Sequence, residues 1–168
     1  NSPIDEPEFV FNSEVADILV GGNTGDIIFK KFKRTPGGGY TAEINRVYAE
    51  VNEWDPDFIV ELHFNGGEGD YTCMLAAESS PASQDCAEIM SEVFASSLNT
   101  RDAGVFKTGP GDRGGKSLHA GRAYTVLSEP FFGDNQHHAD LVYALGHSGI
   151  AYIYMKAISK ALHYLQNR

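Results

Sequence analysis

The stretch Phe58–Gly67, FIVELHFNGG, decides how the rest of the chain is interpreted. Its apolar part, Phe58–Phe64, is typical of a strand buried on both faces of a parallel sheet. Asn65 and the glycines after it are typical of a loop. His63 therefore lies near the end of a strand, where a neutral imidazole suits a metal such as zinc. The alternative is a core histidine whose hydrogen bonds are satisfied within the protein.

On both sides of this stretch, apolar runs typical of strands alternate with segments whose apolar residues recur at helical spacing. Further strands are predicted over residues 26–33, 72–77 and 123–127. Helices are predicted to begin at Asp5, Thr41, Ser80 and Asn135, and a final helix follows Gly149. The Gly-rich residues 101–122 are predicted to be irregular. The alternation indicates an α/β fold, with a mainly parallel twisted sheet and helices on both faces.

Composition and charge limit the classes of function. The chain has 168 residues without a repeat or a linker, and we interpret residues 1–168 as one domain. A net charge of −10 argues against nucleic acid as a partner. No apolar run reaches the ~20 residues that would span a bilayer, so membrane insertion is not expected. Cys73 and Cys86 are interpreted as buried free thiols, although they could pair.

A second strand end carries a carboxylate. The predicted strand 123–127 ends at Ser128–Glu129, and the apolar segment Pro130–Phe132 follows. A carboxylate in apolar surroundings has a raised pKa, which suits a general acid or base. The alternative is a glutamate exposed at a strand end. Because sites in such sheets form at the carboxyl ends of strands, His63 and Glu129 mark the two candidate ends.

The first predicted helix offers a third candidate. Asp5–Glu8 has the form of a capping box, with Pro7 at the first helical position. Glu8 shares a helical face with Phe11 and Val15 and therefore points toward the sheet. The capping role explains a glutamate here without any metal, and a ligand role is the alternative.

The remaining motifs give weaker evidence of function. Gly109–Ser117 is similar to a phosphate loop, but the pattern would require glycine at Pro110 and no helix is predicted after Ser117. His119 is interpreted as a mobile surface histidine, with a ligand role as the alternative. His137 and His138 point to different faces and are interpreted as a solvated helix start.

Four segments, taken in order, resemble the zinc-dependent N-acetylmuramoyl-L-alanine amidases of the AmiC/endolysin type, the Amidase_3 family. Glu8–Asn12 resembles the family's Glu-x-x-x-Asn opening of the first helix, whose glutamate binds zinc. Phe58–Gly66 resembles its strand ending in His-x-Asn, whose histidine binds zinc. Arg113–Lys116 resembles a basic turn before the last strand, and Val126–Asn135 resembles the segment that carries the catalytic glutamate.

The resemblance implies a hydrolase that cleaves the amide bond between N-acetylmuramic acid and the L-alanine of the stem peptide of peptidoglycan. It implies Zn²⁺ bound by Glu8 and His63, Glu129 as the catalytic residue, and Asn65 and Arg113 in substrate binding. The family takes its first zinc ligand from a Gly-His-Gly turn after a first strand. We therefore expect that strand, and a histidine that serves as the third zinc ligand, upstream of Asn1.

The resemblance also implies a monomer that acts on peptidoglycan in the cell envelope or periplasm, as a secreted enzyme, or as a phage-encoded enzyme on the host wall. Two alternatives stay open. One is a related zinc amidohydrolase or carboxypeptidase with a small substrate. The other is a catalytically inactive wall-binding domain.

Overall fold

The structure, a computed structural model, describes residues 3–23 and 25–168. In chain order its elements are α1 Glu8–Gly21, α2 Tyr40–Trp54, β1 Phe58–Leu62, β2 Thr72–Ala77, α3 Pro81–Leu98, β3 Asp102–Thr108, α4 Gly115–Leu118, β4 Tyr124–Glu129 and α5 Gln136–Gln166. None of the helices in the described residues is long and apolar enough to span a bilayer. Asn1, upstream of which a further strand is expected, lies outside the described residues, so that strand stays a prediction.

The described strands form one sheet in the order β1-β4-β2-β3. β1 pairs with β4 in parallel, and so does β2 with β3, whereas β2 and β4 are antiparallel. The prediction of a mainly parallel sheet is therefore confirmed. The parallel pairing of β1 and β4 places their carboxyl ends side by side, and this positions the candidate site.

Helices cover both faces of the sheet. Met74 and Val126 point into a core that is formed with α1, α3 and α5. Their strand neighbours Leu75 and Leu127 point to the opposite face, where they meet Leu118 of α4. On that same side α2 packs on Ile59 of β1. The alternation of side chains along each strand thus produces the predicted layers.

The prediction of a strand over residues 26–33 is wrong, and the prediction that β1 is buried on both faces needs correction. Residues 26–33 form no ladder; Lys31 instead binds the Ser13 hydroxyl and the Asp17 carboxylate on α1. A β-strand needs a neighbouring strand for its backbone hydrogen bonds, and no described strand lies beside residues 26–33. β1 is not buried on both faces, since it is an edge strand of the described sheet in which only Ile59 is fully buried.

Helix boundaries also differ from the predictions. α1 begins at Glu8 instead of Asp5, with Pro7 at the N-cap and no side-chain cap, so the predicted capping box does not form. The carboxylate of Glu8 is directed at the end of β1 instead. Residues 101–122, predicted to be irregular, contain β3 and α4. The two last predicted helices join in α5, which kinks at Gly146.

Candidate metal and catalytic site

The amino-terminal end of α1 lies over the carboxyl end of β1. The backbone N–H of His63 donates to the Ser128 carbonyl at 3.1 Å and so extends the β1–β4 pairing past Leu62. Nδ1 of His63 lies 2.9 Å from Oε1 of Glu8, and the Phe64 N–H donates to the same oxygen at 3.2 Å. Both side chains remain open, with 43% and 42% of their surface exposed. The structure thus brings these two predicted ligands together.

A third charged residue, Glu61, faces the other nitrogen of the same ring. Nε2 of His63 lies 3.7 Å from Oε2 of Glu61. The Glu61 carboxylate accepts hydrogen bonds from Tyr48 of α2 at 2.5 Å and from Ser117 of α4 at 3.0 Å. Sequence reasoning missed Glu61. The available signal was its position two residues before His63 in an apolar strand, which places both side chains on one face.

These contacts change the protonation of the pair. Burial lowers the pKa of His63, but the charges of Glu61 and Glu8 and the hydrogen bond to Glu8 outweigh burial and raise the pKa to about 9. Burial raises the pKa of Glu8, but its hydrogen bond and ion pair with His63 outweigh that effect, so the net pKa is lowered. The two carboxylates therefore favour a positive charge between them, whether a proton on the ring or a cation.

Glu129 is the last residue of β4 and follows Ser128, the register partner of Leu62. Burial raises the pKa of Glu129, and the positive charges of Arg113 and His63 only partly oppose this. Its Oε2 lies 3.9 Å from Sγ of the buried Cys73. Glu129 is thus a half-buried carboxylate near the Glu8–His63 pair, and burial raises its pKa, as was expected from the sequence.

The two predicted substrate-binding residues occupy different surroundings. Arg113 is exposed in the turn before α4, and its charge lowers the pKa of both Glu8 and Glu129. Asn65 is held in the loop after β1: its backbone N–H donates to Phe131 at 2.8 Å and its carbonyl accepts from Gly133 at 2.9 Å. A Cβ on Gly133 would lie 2.3 Å from the Phe64 ring, so this close approach requires glycine.

A cavity of about 1100 Å³ joins the site residues. Glu8, His63, Arg113 and Glu129 line one part of it, and the rest follows the outer edge of β1 toward α2. Asn12 also lines the cavity, and its buried Nδ2 has no hydrogen-bond partner among the described residues.

Other histidines lie elsewhere. His138 is buried, accepts from the Phe132 N–H at 2.8 Å and lies 3.0 Å from Asp70, so its interpretation as part of a solvated helix start is wrong. His119 is the half-buried C-cap of α4, with Nδ1 2.7 Å from the carbonyl of Gly115 in the same helix, so its interpretation as a surface histidine needs correction.

The third zinc ligand is not found in the described part of the chain. Among residues 3–23 and 25–168, no third His, Cys, Asp or Glu places a donor atom within 4.8 Å of one donor atom each from Glu8 and His63. The ligand was expected from a histidine upstream of Asn1, and Asn1 itself lies outside the described residues. That histidine therefore stays a prediction, and the described site offers two candidate ligands, Glu8 and His63.

No family model and no curated protein sequence matches the chain. Solved structures do match. The catalytic domain of the CD27L endolysin targeting Clostridia difficile is 22% identical with a TM-score of 0.73, covering 91% of this chain and 83% of that one.

Two further structures are similar over nearly the whole chain. The catalytic domain of CwlV, an N-acetylmuramoyl-L-alanine amidase from Bacillus (Paenibacillus) polymyxa var. colistinus, is 16% identical with a TM-score of 0.74, covering 95% and 87% of the two chains. An N-acetylmuramoyl-L-alanine amidase from Clostridium difficile 630 is 15% identical with a TM-score of 0.72, covering 95% and 86%. The protein therefore has the fold of N-acetylmuramoyl-L-alanine amidase catalytic domains, as the resemblance of its segments implied.

Proposed function

We propose that the protein is a peptidoglycan hydrolase that cleaves the amide between N-acetylmuramic acid and L-alanine of the stem peptide. The observation that carries this proposal is the placement of Glu8, His63 and Glu129 on one cavity at the paired ends of β1 and β4. The fold shared with amidase catalytic domains supports the same reaction. The proposed substrate places the protein's action at the cell wall.

The donor set fits zinc. A carboxylate oxygen and an imidazole nitrogen 2.9 Å apart are close to the separation of about 3.3 Å expected for neighbouring ligands in a tetrahedral zinc site. Both open into the cavity, and Glu61 adds negative charge behind the ring. When bound there, zinc would polarise the scissile carbonyl and lower the pKa of a water molecule.

Glu61 is proposed as a positioning residue. A histidine that ligates a metal through one ring nitrogen donates its other N–H to a carboxylate or carbonyl in most sites. Here Nδ1 faces Glu8 and Nε2 faces Glu61, so ligation through Nδ1 leaves Nε2–H for Glu61. Because Tyr48 and Ser117 hold the Glu61 carboxylate, the ring keeps its orientation.

Glu129 is proposed as the general base and acid. Its raised pKa lets it take a proton from the attacking water and return that proton to the departing L-alanine amine. Arg113 carries a fixed positive charge at the same cavity and is proposed to bind an acidic or carbonyl group of the substrate.

The test is digestion of purified peptidoglycan with the full chain and added zinc. The proposal expects new amino groups that are identified as L-alanine N-termini, with no gain in reducing sugars. Release of reducing ends or of C-terminal amino acids alone would identify a different bond and overturn the proposal. A protein that binds wall material without any cleavage would support the inactive wall-binding alternative.

A further inference from the structure

A second group of donor side chains lies on the other side of α1. Glu6 precedes the helix, Glu14 lies on it, and His147 lies on α5. One donor atom from each lies within 4.8 Å of the other two, and no other such cluster occurs in residues 3–23 and 25–168. Nε2 of His147 is 2.9 Å from Oε2 of Glu6, and Nδ1 is 3.4 Å from Oε2 of Glu14.

The backbone and packing fix the position of this histidine. Gly146, with φ 65° and ψ 177°, kinks α5 immediately before His147. A side chain at this φ would strain the backbone, so glycine is needed for the kink. The imidazole then packs on Phe11 of α1, with ring centroids 4.7 Å apart. The ring is therefore held over α1 rather than free to turn into solvent.

Charge and donor chemistry favour a cation at this cluster. In the part of the chain that the structure describes, His147 is the only ion-pair partner of the Glu6 and Glu14 carboxylates. One imidazole and two carboxylates are a donor set that zinc accepts. The side chains keep 31%, 23% and 56% of their surface exposed for His147, Glu6 and Glu14, so an ion from solution can reach them and retain a water ligand.

We propose that Glu6, Glu14 and His147 form a second zinc site, separate from the Glu8–His63 pair, which ties the kinked α5 to α1. The site is structural: none of its residues lines the cavity that holds Glu129. It does not depend on the proposed amidase function.

The experiment is a zinc titration by calorimetry on the full chain in a His63→Ala background, which removes the first pair. The proposal expects about one equivalent of zinc to bind and to raise Tm. Adding Glu14→Gln should weaken this binding at least about tenfold, since even the loss of an outer partner of a metal ligand has an effect of that size. Glu92→Gln, an exposed glutamate on α3, is the matched control and should leave the titration unchanged.

His147→Ala in the same background separates a metal site from a simple ion pair. The proposal expects the zinc-dependent rise in Tm to disappear. If the background binds no zinc, or if His147→Ala lowers Tm equally with and without zinc, the cluster is an ion pair only and the proposal is overturned. Repeating the titration in Glu8→Gln guards against misfolding caused by His63→Ala.

Discussion

The carboxylate of Glu8 and the imidazole of His63 lie 2.9 Å apart although 55 positions separate them in the chain. One belongs to the first turn of a helix and the other to the end of an edge strand. Their contact depends on α1 being held against the sheet by Phe11, whose ring meets Phe64 and Phe131 edge-on. The proposed metal pair is thus supported by apolar packing directly beneath it.

Removing either member of this pair should remove metal rather than fold. His63→Ala and Glu8→Gln are each expected to lose zinc at the first site, because each removes one of the few proposed protein ligands. Both side chains are about 40% exposed, so the loss of stability should be small. Zinc stoichiometry and Tm measured on the same sample check this. A large drop in Tm without the loss of one zinc equivalent would instead assign His63 to the core.

Glu129→Gln should separate chemistry from metal binding. The amide keeps the size of the side chain but cannot accept the proton, so turnover of peptidoglycan is expected to fall roughly 10²–10⁴-fold. Zinc content and Tm should stay close to those of the unchanged protein. Near-normal hydrolysis by a zinc-loaded Glu129→Gln variant would show that another group is the base.

Glu61→Gln tests the positioning role behind His63. Loss of the charge that faces Nε2 is expected to weaken zinc binding about 10–100-fold. Tyr48→Phe removes one hydrogen bond to Glu61 but leaves its charge, so its effect on zinc affinity should be smaller. Calorimetric titration of both variants, with Tm measured without zinc, gives the comparison. If Glu61→Gln binds zinc as tightly as the unchanged protein and only its Tm is lowered, Glu61 has a purely structural role.

His138 makes stability depend on pH. Burial lowers its pKa, and the nearby charge of Asp70 only partly opposes this. The neutral ring accepts the Phe132 N–H, and protonation would break that bond. Because the folded-state pKa lies below the unfolded value, this contribution is present above about pH 6.5 and is lost as pH falls through the folded-state pKa.

Urea denaturation at neutral and at mildly acidic pH measures this effect. The drop in the free energy of unfolding on acidification should be smaller in His138→Gln than in the unchanged protein. His137→Gln, at the exposed neighbouring position, is the control and should keep the full drop. If the free energy of unfolding depends on pH in the same way in all three proteins, this role of His138 is contradicted.

The cysteines should be unreactive in the folded protein. Burial raises the pKa of the Cys73 thiol to about 12 and that of Cys86 to about 11, so little of the reactive thiolate forms near pH 8. A thiol reagent is expected to react slowly with the native chain. In denaturant the reagent should react with both cysteines, since both are free. Rapid native reaction, or fewer than two thiols after unfolding, would contradict this.

The sequence predicted the parts of the site that local pattern determines. His63 and Glu129 each end an apolar run, and a parallel sheet places such ends together. Residues 26–33 show why strand pattern alone is insufficient, since no described strand lies beside them. β3 was missed because it is an exposed edge strand containing Gly104 at φ 73°.

The remaining features arise from contacts between distant segments. Buried His138 pairs with Asp70, 68 positions away, and no local pattern distinguishes it from exposed His137. The cluster of His147 with Glu6 spans 141 positions and requires the kink at Gly146. Contacts between residues so far apart in the chain cannot be predicted from the local pattern of the sequence.

The pairing of β1 with β4 also bears on how the protein folds. Glu61 and Ser128, which hydrogen-bond across this pair, are separated by 67 positions. Closing so long a loop costs entropy before any contact repays it, and parallel strands joined over such distances form slowly. During synthesis the backbone N–H of His63 therefore lacks its Ser128 partner until β4 has emerged. The proposed active centre is therefore completed late, because a nascent chain that ends before β4 lacks the proposed general base Glu129.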